Sequence, residues 1–288
     1  MASYLDRIIK PSINIIKNSI PGKKKAGEYF RVIKDCILPS RAIYPEIVLV
    51  MTTYCSLKCK NCNNLMPLYD RPYHIPVEEL LSDIDNLLSN IDTCVKFGLI
   101  GGEPFCYPDL IPVLDRVISD SHVMYVDITT NGTIIPGEDI MEKLKDPKVY
   151  VEISDYGVDT QKVKELTGIF EEKGVRYSKD KVVSWVSPGG TENRGKDKET
   201  LTREFGMCYS SRYCRTLLKG CIYLCSRGAH LCDLGFMDSD HDRFDIRKKR
   251  SRTEFKRGLD AFMMSDYADA CNYCDHAKKI IVKPGEQA

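Results

Sequence analysis

The stretch Ile47-Val48-Leu49-Val50-Met51-Thr52-Thr53-Tyr54-Cys55-Ser56-Leu57-Lys58-Cys59-Lys60-Asn61-Cys62 decides how this chain is read. Its apolar start predicts a buried strand, Ile47–Thr52. Three cysteines follow at once, spaced C-x3-C-x2-C. A [4Fe–4S] cluster normally takes four thiolates, so three of them hold three corners of the cubane and leave one iron open to an outside ligand. The plainer alternatives are half of a zinc site or three buried thiols.

A second motif, Gly101-Gly102-Glu103-Pro104, ends the apolar run Val95–Ile100. Alone it is a strand running into a turn. Taken with the cysteines, and in this order, it resembles the radical S-adenosylmethionine (SAM) superfamily. The resemblance implies that SAM occupies the open iron held by Cys55, Cys59 and Cys62. It also implies that Gly101 and Gly102 let the backbone approach the methionine end of SAM, and that Glu103 accepts from its ammonium. Many members carry an aromatic residue just before the third cysteine, beside the adenine. Here that position is Asn61, so the adenine contact has to come from elsewhere.

The 288 residues are 43% hydrophobic with a net charge of +1, enough for one large domain or a domain with a smaller module. That balance makes no electrostatic case for nucleic acid. No run reads as a transmembrane helix or a secretory signal. Thirteen cysteines, an odd number, suit cluster ligation in a reducing, cytoplasmic setting better than a secreted disulfide framework.

From Pro45 to about Pro188 strand-like and helix-like stretches alternate. Strands are predicted at Ile47–Thr52, Val95–Ile100, Val123–Thr130, Val149–Ser154 and Val175–Val186. Helices are predicted at Val77–Leu88, Leu110–Ser119, Asp139–Lys145 and Asp159–Lys173. Such alternation predicts an α/β fold with a parallel sheet. The resemblance makes it a partial (β/α)6-type barrel with the cofactor at the C-terminal strand ends. Residues 46–190 are assigned to this barrel and 191–288 to a linker and cysteine-rich module. Residues 1–45 are assigned to a basic amphipathic extension. Residues 1–34 hold eight Lys/Arg against Asp6 and Glu28, with a break expected at Pro11. A helix packed on the barrel is preferred there over a segment seeking anionic lipid. At two strand ends, Asn131 and Ser154 are candidates for SAM contact, with turn and helix-start chemistry as the plainer reading.

Seven cysteines fall after residue 205. Cys208, Gly220 and Cys225 form C-x11-G-x4-C, and Cys271-Asn272-Tyr273-Cys274 closes the set. This resembles the twitch domain, the shortened SPASM domain, and implies an auxiliary [4Fe–4S] cluster on Cys208, Cys225, Cys271 and Cys274, with Cys214 in reserve. A four-thiolate zinc site is the structural alternative. Cys36, Cys94 and Cys106 read as buried small hydrophobes, Cys221 and Cys232 are unassigned, and His276 reads as an ordinary histidine. The basic run from Arg243 to Arg257 reads as a solvated face ahead of an acidic-partner site.

The resemblance implies radical chemistry: an electron from an external donor such as flavodoxin or ferredoxin, SAM cleavage, and hydrogen-atom abstraction from a substrate. The thiol spacing is similar to that of twitch enzymes oxidising sugar-like alcohols, which implies a sugar or aminocyclitol-like small molecule as substrate. Modification of a peptide or protein is the rival, weakened because the first 45 residues hold no winged-helix peptide-recognition domain. A non-catalytic iron–sulfur or zinc-stapled protein is the third reading, and Glu103 argues against it.

Overall fold

The computed structural model describes residues 4–19, 42–209 and 214–288. Four parallel strands arise where apolar residues recur, β1 (Ile43–Val50), β2 (Thr93–Ile100), β3 (Val123–Thr130) and β4 (Val149–Asp155), and a polar edge strand, β5 (Tyr177–Lys181), pairs beside β4. Between them run α2 (Val77–Leu88), α3 (Leu110–Ser119), α4 (Glu138–Leu144) and α5 (Thr160–Lys173). On α2, Leu80, Ile84, Leu87 and Leu88 are buried at helical spacing, as expected, whereas Leu81 is only half-buried. Asp83 takes a buried place on the same helix and is gripped by Arg247 at 2.7 and 2.8 Å.

The sheet does not stop at residue 190. After α6 (Lys198–Met207), the short β7 (Thr216–Leu218) pairs parallel with β1. It makes a sixth parallel strand in the order β5-β4-β3-β2-β1-β7. Then β8 (Cys221–Tyr223) and β9 (Arg243–Asp245) add antiparallel strands beyond it. They flank α7 (Ser226–Asp233), and α8 (Arg252–Met263) follows. The result is an α/β fold with a mostly parallel sheet, the partial barrel expected.

The stretch predicted as one strand over Val175–Val186 divides. Its end, β6 (Trp185–Val186), leaves the barrel and pairs with β10 (Ile281–Val282) in a separate two-stranded sheet. Charged and exposed residues over Ser178–Lys181 remove the apolar alternation that a continuous strand needs. The linker expected from residue 191 is tied down at Arg194, whose N donates to Asn272 O, and just before it Ser187 N donates to Ile280 O.

The N-terminal helix runs through Pro11. A π turn, Leu5–Ile9, leads into α1 (Lys10–Ser19). The Lys10 N–H bonds Leu5 O, a wider turn that accommodates the proline's missing donor. Ile8 and Ile16 are buried in the core, and Arg7 pairs with Asp266 at 2.8 Å. Lys23, Lys24, Lys25, Arg31, Lys34, Cys36 and Arg212 lie outside the described residues. Cys94 is buried, as expected, and Cys106 is half-buried. The basic run is engaged internally: Arg243 pairs with Asp238 and Asp240, Arg247 with Asp83 and Glu79, and Arg252 and Lys256 with Asp92. Among the described residues no helix is long and apolar enough to cross a membrane.

Candidate functional site

The loop after β1 is held from several sides. Gly102 N donates to Thr52 O and Glu103 N to Tyr54 O, each at 2.8 Å, locking the turn after β2 against the cysteine loop. There is no space between them. A Cβ on Gly101 would lie 2.3 Å from Thr52 O, and one on Gly102 would lie 2.2 Å from Tyr54 O. The glycines are therefore required first by protein backbone, and a ligand need not be invoked to explain them. Residues 286–288 lie along the other side: Lys60 N donates to Glu286 O, Ala288 N to Lys58 O, and Gln287 forms a bridge with Cys59.

Cys55, Cys59 and Cys62 all line one cavity of about 350 Å³ at the C-terminal ends of the strands. Burial pushes all three thiols up, Cys55 to about 12, with further repulsion from Glu103 and the other two thiols. Such a group stays protonated until a metal centre binds it, since coordination removes the thiol proton. Gly101, Gly102, Thr129, Thr130 and Asn131 form the facing wall. Asn131 Nδ2 donates to Ser56 Oγ at 3.0 Å and to Cys55 Sγ at 3.8 Å, tying the β3 end to the cysteine loop.

Glu103 stands behind that wall, fully buried. Its carboxylate accepts from Thr130 Oγ1 (2.7 Å), Asn131 N (2.9 Å) and Phe105 N (3.2 Å). No lysine or arginine pairs with it among the described residues, and burial pushes it up to about 7. Two carboxylate oxygens offer about four acceptor positions, so one remains for a further donor. Ser154 is not on the cavity wall; it stands near Tyr156, which is.

Sequence reasoning missed the aromatic wall. Tyr156 and Trp185 both line the cavity and meet edge to face, centroids 4.9 Å apart. Trp185 is the chain's single tryptophan, a signal that could have singled it out, but it arrives only through β6. His276 also lines the cavity.

The C-terminal thiols come from four places. Cys208 ends α6, Cys225 precedes α7, Cys271 lies within a 3-10 turn, Asp269–Tyr273, and Cys274 follows it. Cys225 is pushed up by burial, then Cys271, with Cys208 contributing; Cys271 and Cys274 also feel Cys208. The four thus share one neighbourhood. Cys214 does not belong to it: its thiol contacts Thr216 and feels Glu46 and Lys96 inside the barrel. Cations lie beside the four thiols, two of them buried. Lys196 Nζ donates to Cys271 O and Cys274 O, and Arg215 and Arg227 are 3% and 2% exposed. Among the described residues no three His, Cys, Asp or Glu side chains close on a single metal ion.

Residues 49–177 match the sequence family described as the Radical SAM superfamily. This stretch is a radical SAM domain. Cys55, Cys59, Cys62, Gly101, Gly102, Glu103 and Asn131 all fall inside it, whereas the C-terminal thiols lie beyond it. No curated protein matches the chain. Among solved structures, anSMEcpe with bound AdoMet is similar at a TM-score of 0.50 and 15% identity, covering 81% of this chain and 88% of that one. SuiB of Streptococcus suis bound to S-adenosylmethionine has a TM-score of 0.45 and 14% identity, covering 92% and 80%. BtrN in complex with AdoMet and 2-DOIA has a TM-score of 0.43 and 15% identity, covering 86% and 98%. Of these only the first, at a TM-score of 0.50, speaks to the fold, and at 15% identity to the fold alone.

Proposed function

We propose that this chain is a radical SAM enzyme that removes a hydrogen atom from a small polar substrate and oxidises it. One observation carries the reading: three thiols, the Asn131 wall and an aromatic pair share one cavity, backed by a buried carboxylate that lacks a cation. This donor set fits a cluster with one open iron and SAM upon it. When bound, the two supply the 5′-deoxyadenosyl radical. The chain's own share is to hold and shield. Cys55, Cys59 and Cys62 would hold the cluster. Glu103, with one acceptor position left, would receive the ammonium of SAM, and Gly101, Gly102 and Asn131 would border it. Tyr156 and Trp185 would supply the aromatic surface for the adenine that Asn61 does not. Ser154, off the cavity wall, would bear on SAM only through Tyr156.

Charged side chains inside the barrel, below the cavity rather than on its wall, favour a polar substrate. One and two strand steps in from the cavity residues Thr129 and Ile100 lie Asp127 and Lys96. Lys96 Nζ lies 3.1–3.4 Å from Glu152, Glu46 and Asp127. A net oxidation also needs an electron acceptor, and Cys208, Cys225, Cys271 and Cys274 would hold an auxiliary [4Fe–4S] cluster for that purpose. Their order and spacing are similar to those of the butirosin-pathway 2-deoxy-scyllo-inosamine dehydrogenase, which favours a sugar or aminocyclitol.

The test is reduction of the reconstituted protein with SAM present, followed by product analysis. The reading predicts 5′-deoxyadenosine, its loss in Cys55→Ala, and a ketone from candidate sugars or aminocyclitols. Turnover of Ser- or Cys-containing peptides instead would make the chain a peptide maturase. No 5′-deoxyadenosine under any condition would leave an iron–sulfur carrier or a zinc-stapled protein.

A further inference from the structure

The two groups of thiols are joined by a direct contact. Asn63, next to Cys62, donates from Nδ2 to the hydroxyl of Ser226, next to Cys225, at 2.9 Å. Arg227 follows. Its Nε donates to Tyr273 O at 3.0 Å, and its Nη2 to Gly189 O and Gly190 O at 2.9 and 2.8 Å. Its Nη1 is buried with no hydrogen-bond partner. All three bonds go to carbonyls, and no carboxylate pairs with this guanidinium among the described residues.

A buried, unpaired guanidinium is costly unless a negative charge stands nearby. Arg227 stands two residues past Cys225 and bonds the carbonyl of Tyr273, the residue before Cys274, while its neighbour Ser226 touches Asn63 beside Cys62. Lys196, also beside the C-terminal thiols, is balanced by Glu204 at 2.7 Å. Gly228 N donates to Cys225 Sγ at 3.2 Å, and a Cβ on Gly228 would lie 3.0 Å from that of Ala270, so the start of α7 is pressed onto this group. At Cys55 the sign is reversed, because the charged side chain it feels is the carboxylate of Glu103. Positive charge and N–H donors at sulfur favour the reduced, more negative form of a cluster, and a carboxylate opposes it.

We infer that Arg227 is a redox-tuning residue, holding the reduction potential of the auxiliary cluster above that of the Cys55/Cys59/Cys62 cluster. An electron released by the substrate is then retained at the C-terminal thiols. The inference rests on the two-cluster reading above.

Potentiometric titration of the reconstituted full chain, followed by electron paramagnetic resonance, tests it. In Arg227→Gln, the reduced-to-oxidised ratio of the auxiliary cluster at a fixed potential falls about tenfold, about 59 mV for one electron. Arg227→Lys, which keeps the charge, restores most of it, and the other cluster moves less in both variants. If Arg227→Gln loses the cluster, Ser226→Asp adds a carboxylate beside an intact guanidinium and predicts the same downward shift. A second cluster whose potential is unmoved by these changes overturns the role of Arg227 alone. Absence of a second iron–sulfur signal in the unsubstituted protein overturns the two-cluster reading and this inference with it.

Discussion

Gly102 shows how a single missing methyl group shapes this site. The turn after β2 lies so close to the cysteine loop that a Cβ there would stand 2.7 Å from the Cβ of Cys55, besides striking Tyr54 O. Backbone cannot swing aside as a flexible side chain can, so Gly102→Ala must displace one loop from the other. We expect a loss of about 1–3 kcal/mol in stability. Anaerobic reconstitution should show the Cys55 cluster depleted of iron while the C-terminal group is spared. His230 offers a test by pH. It is fully buried on α7, with Nδ1 against Tyr69 Oη at 2.8 Å, and Tyr69 in turn donates to Asp233, which pairs with Lys219. Burial holds the imidazole down to about 4, against about 6.5 in the unfolded chain. Above about 6.5 the ring is neutral in both states and its contribution is complete. As pH falls toward 4, the unfolded chain takes up a proton that the folded chain refuses, and up to about 3 kcal/mol is lost. Urea midpoints at pH 7 and 4.5 should converge more in His230→Gln than in the unsubstituted protein.

The elements around the cavity divide into those announced by periodicity and those delivered by pairing. Strand β3 and helices α2 and α3 coincide with the predicted spans, because eight to twelve residues of regular burial leave a strong pattern. Strands β6, β7 and β10 have two or three residues each, too few for any period to register, yet they complete the site. β10 holds Trp185 against the cavity, and β7 turns Cys214 into the barrel, away from the C-terminal thiols. The candidate thiols were legible because metal chemistry demands fixed spacings. Tyr156 and Trp185 were not, since no spacing links an aromatic side chain to a purine. The pairing yields a prediction of its own. Trp185→Ala should weaken SAM binding by about 1–3 kcal/mol, the usual worth of base stacking on an aromatic ring. Iron content should stay unchanged, as equilibrium dialysis and iron assay on the same sample would show.

At the scale of the whole molecule, two thiol groups are built on one continuous sheet and touch through Asn63 and Ser226. One group opens onto a cavity with room for a ligand; the other has the buried cations Arg215 and Arg227 beside it. The proposed division of labour, an open cluster for SAM and a closed one for an electron, stands on that difference. The most direct measurement is the iron content of the Cys55/Cys59/Cys62→Ala triple variant after anaerobic reconstitution with iron and sulfide. About four irons per chain should remain, held by Cys208, Cys225, Cys271 and Cys274. Loss of all iron would contradict the account, leaving a single cluster and no acceptor for the substrate's electron.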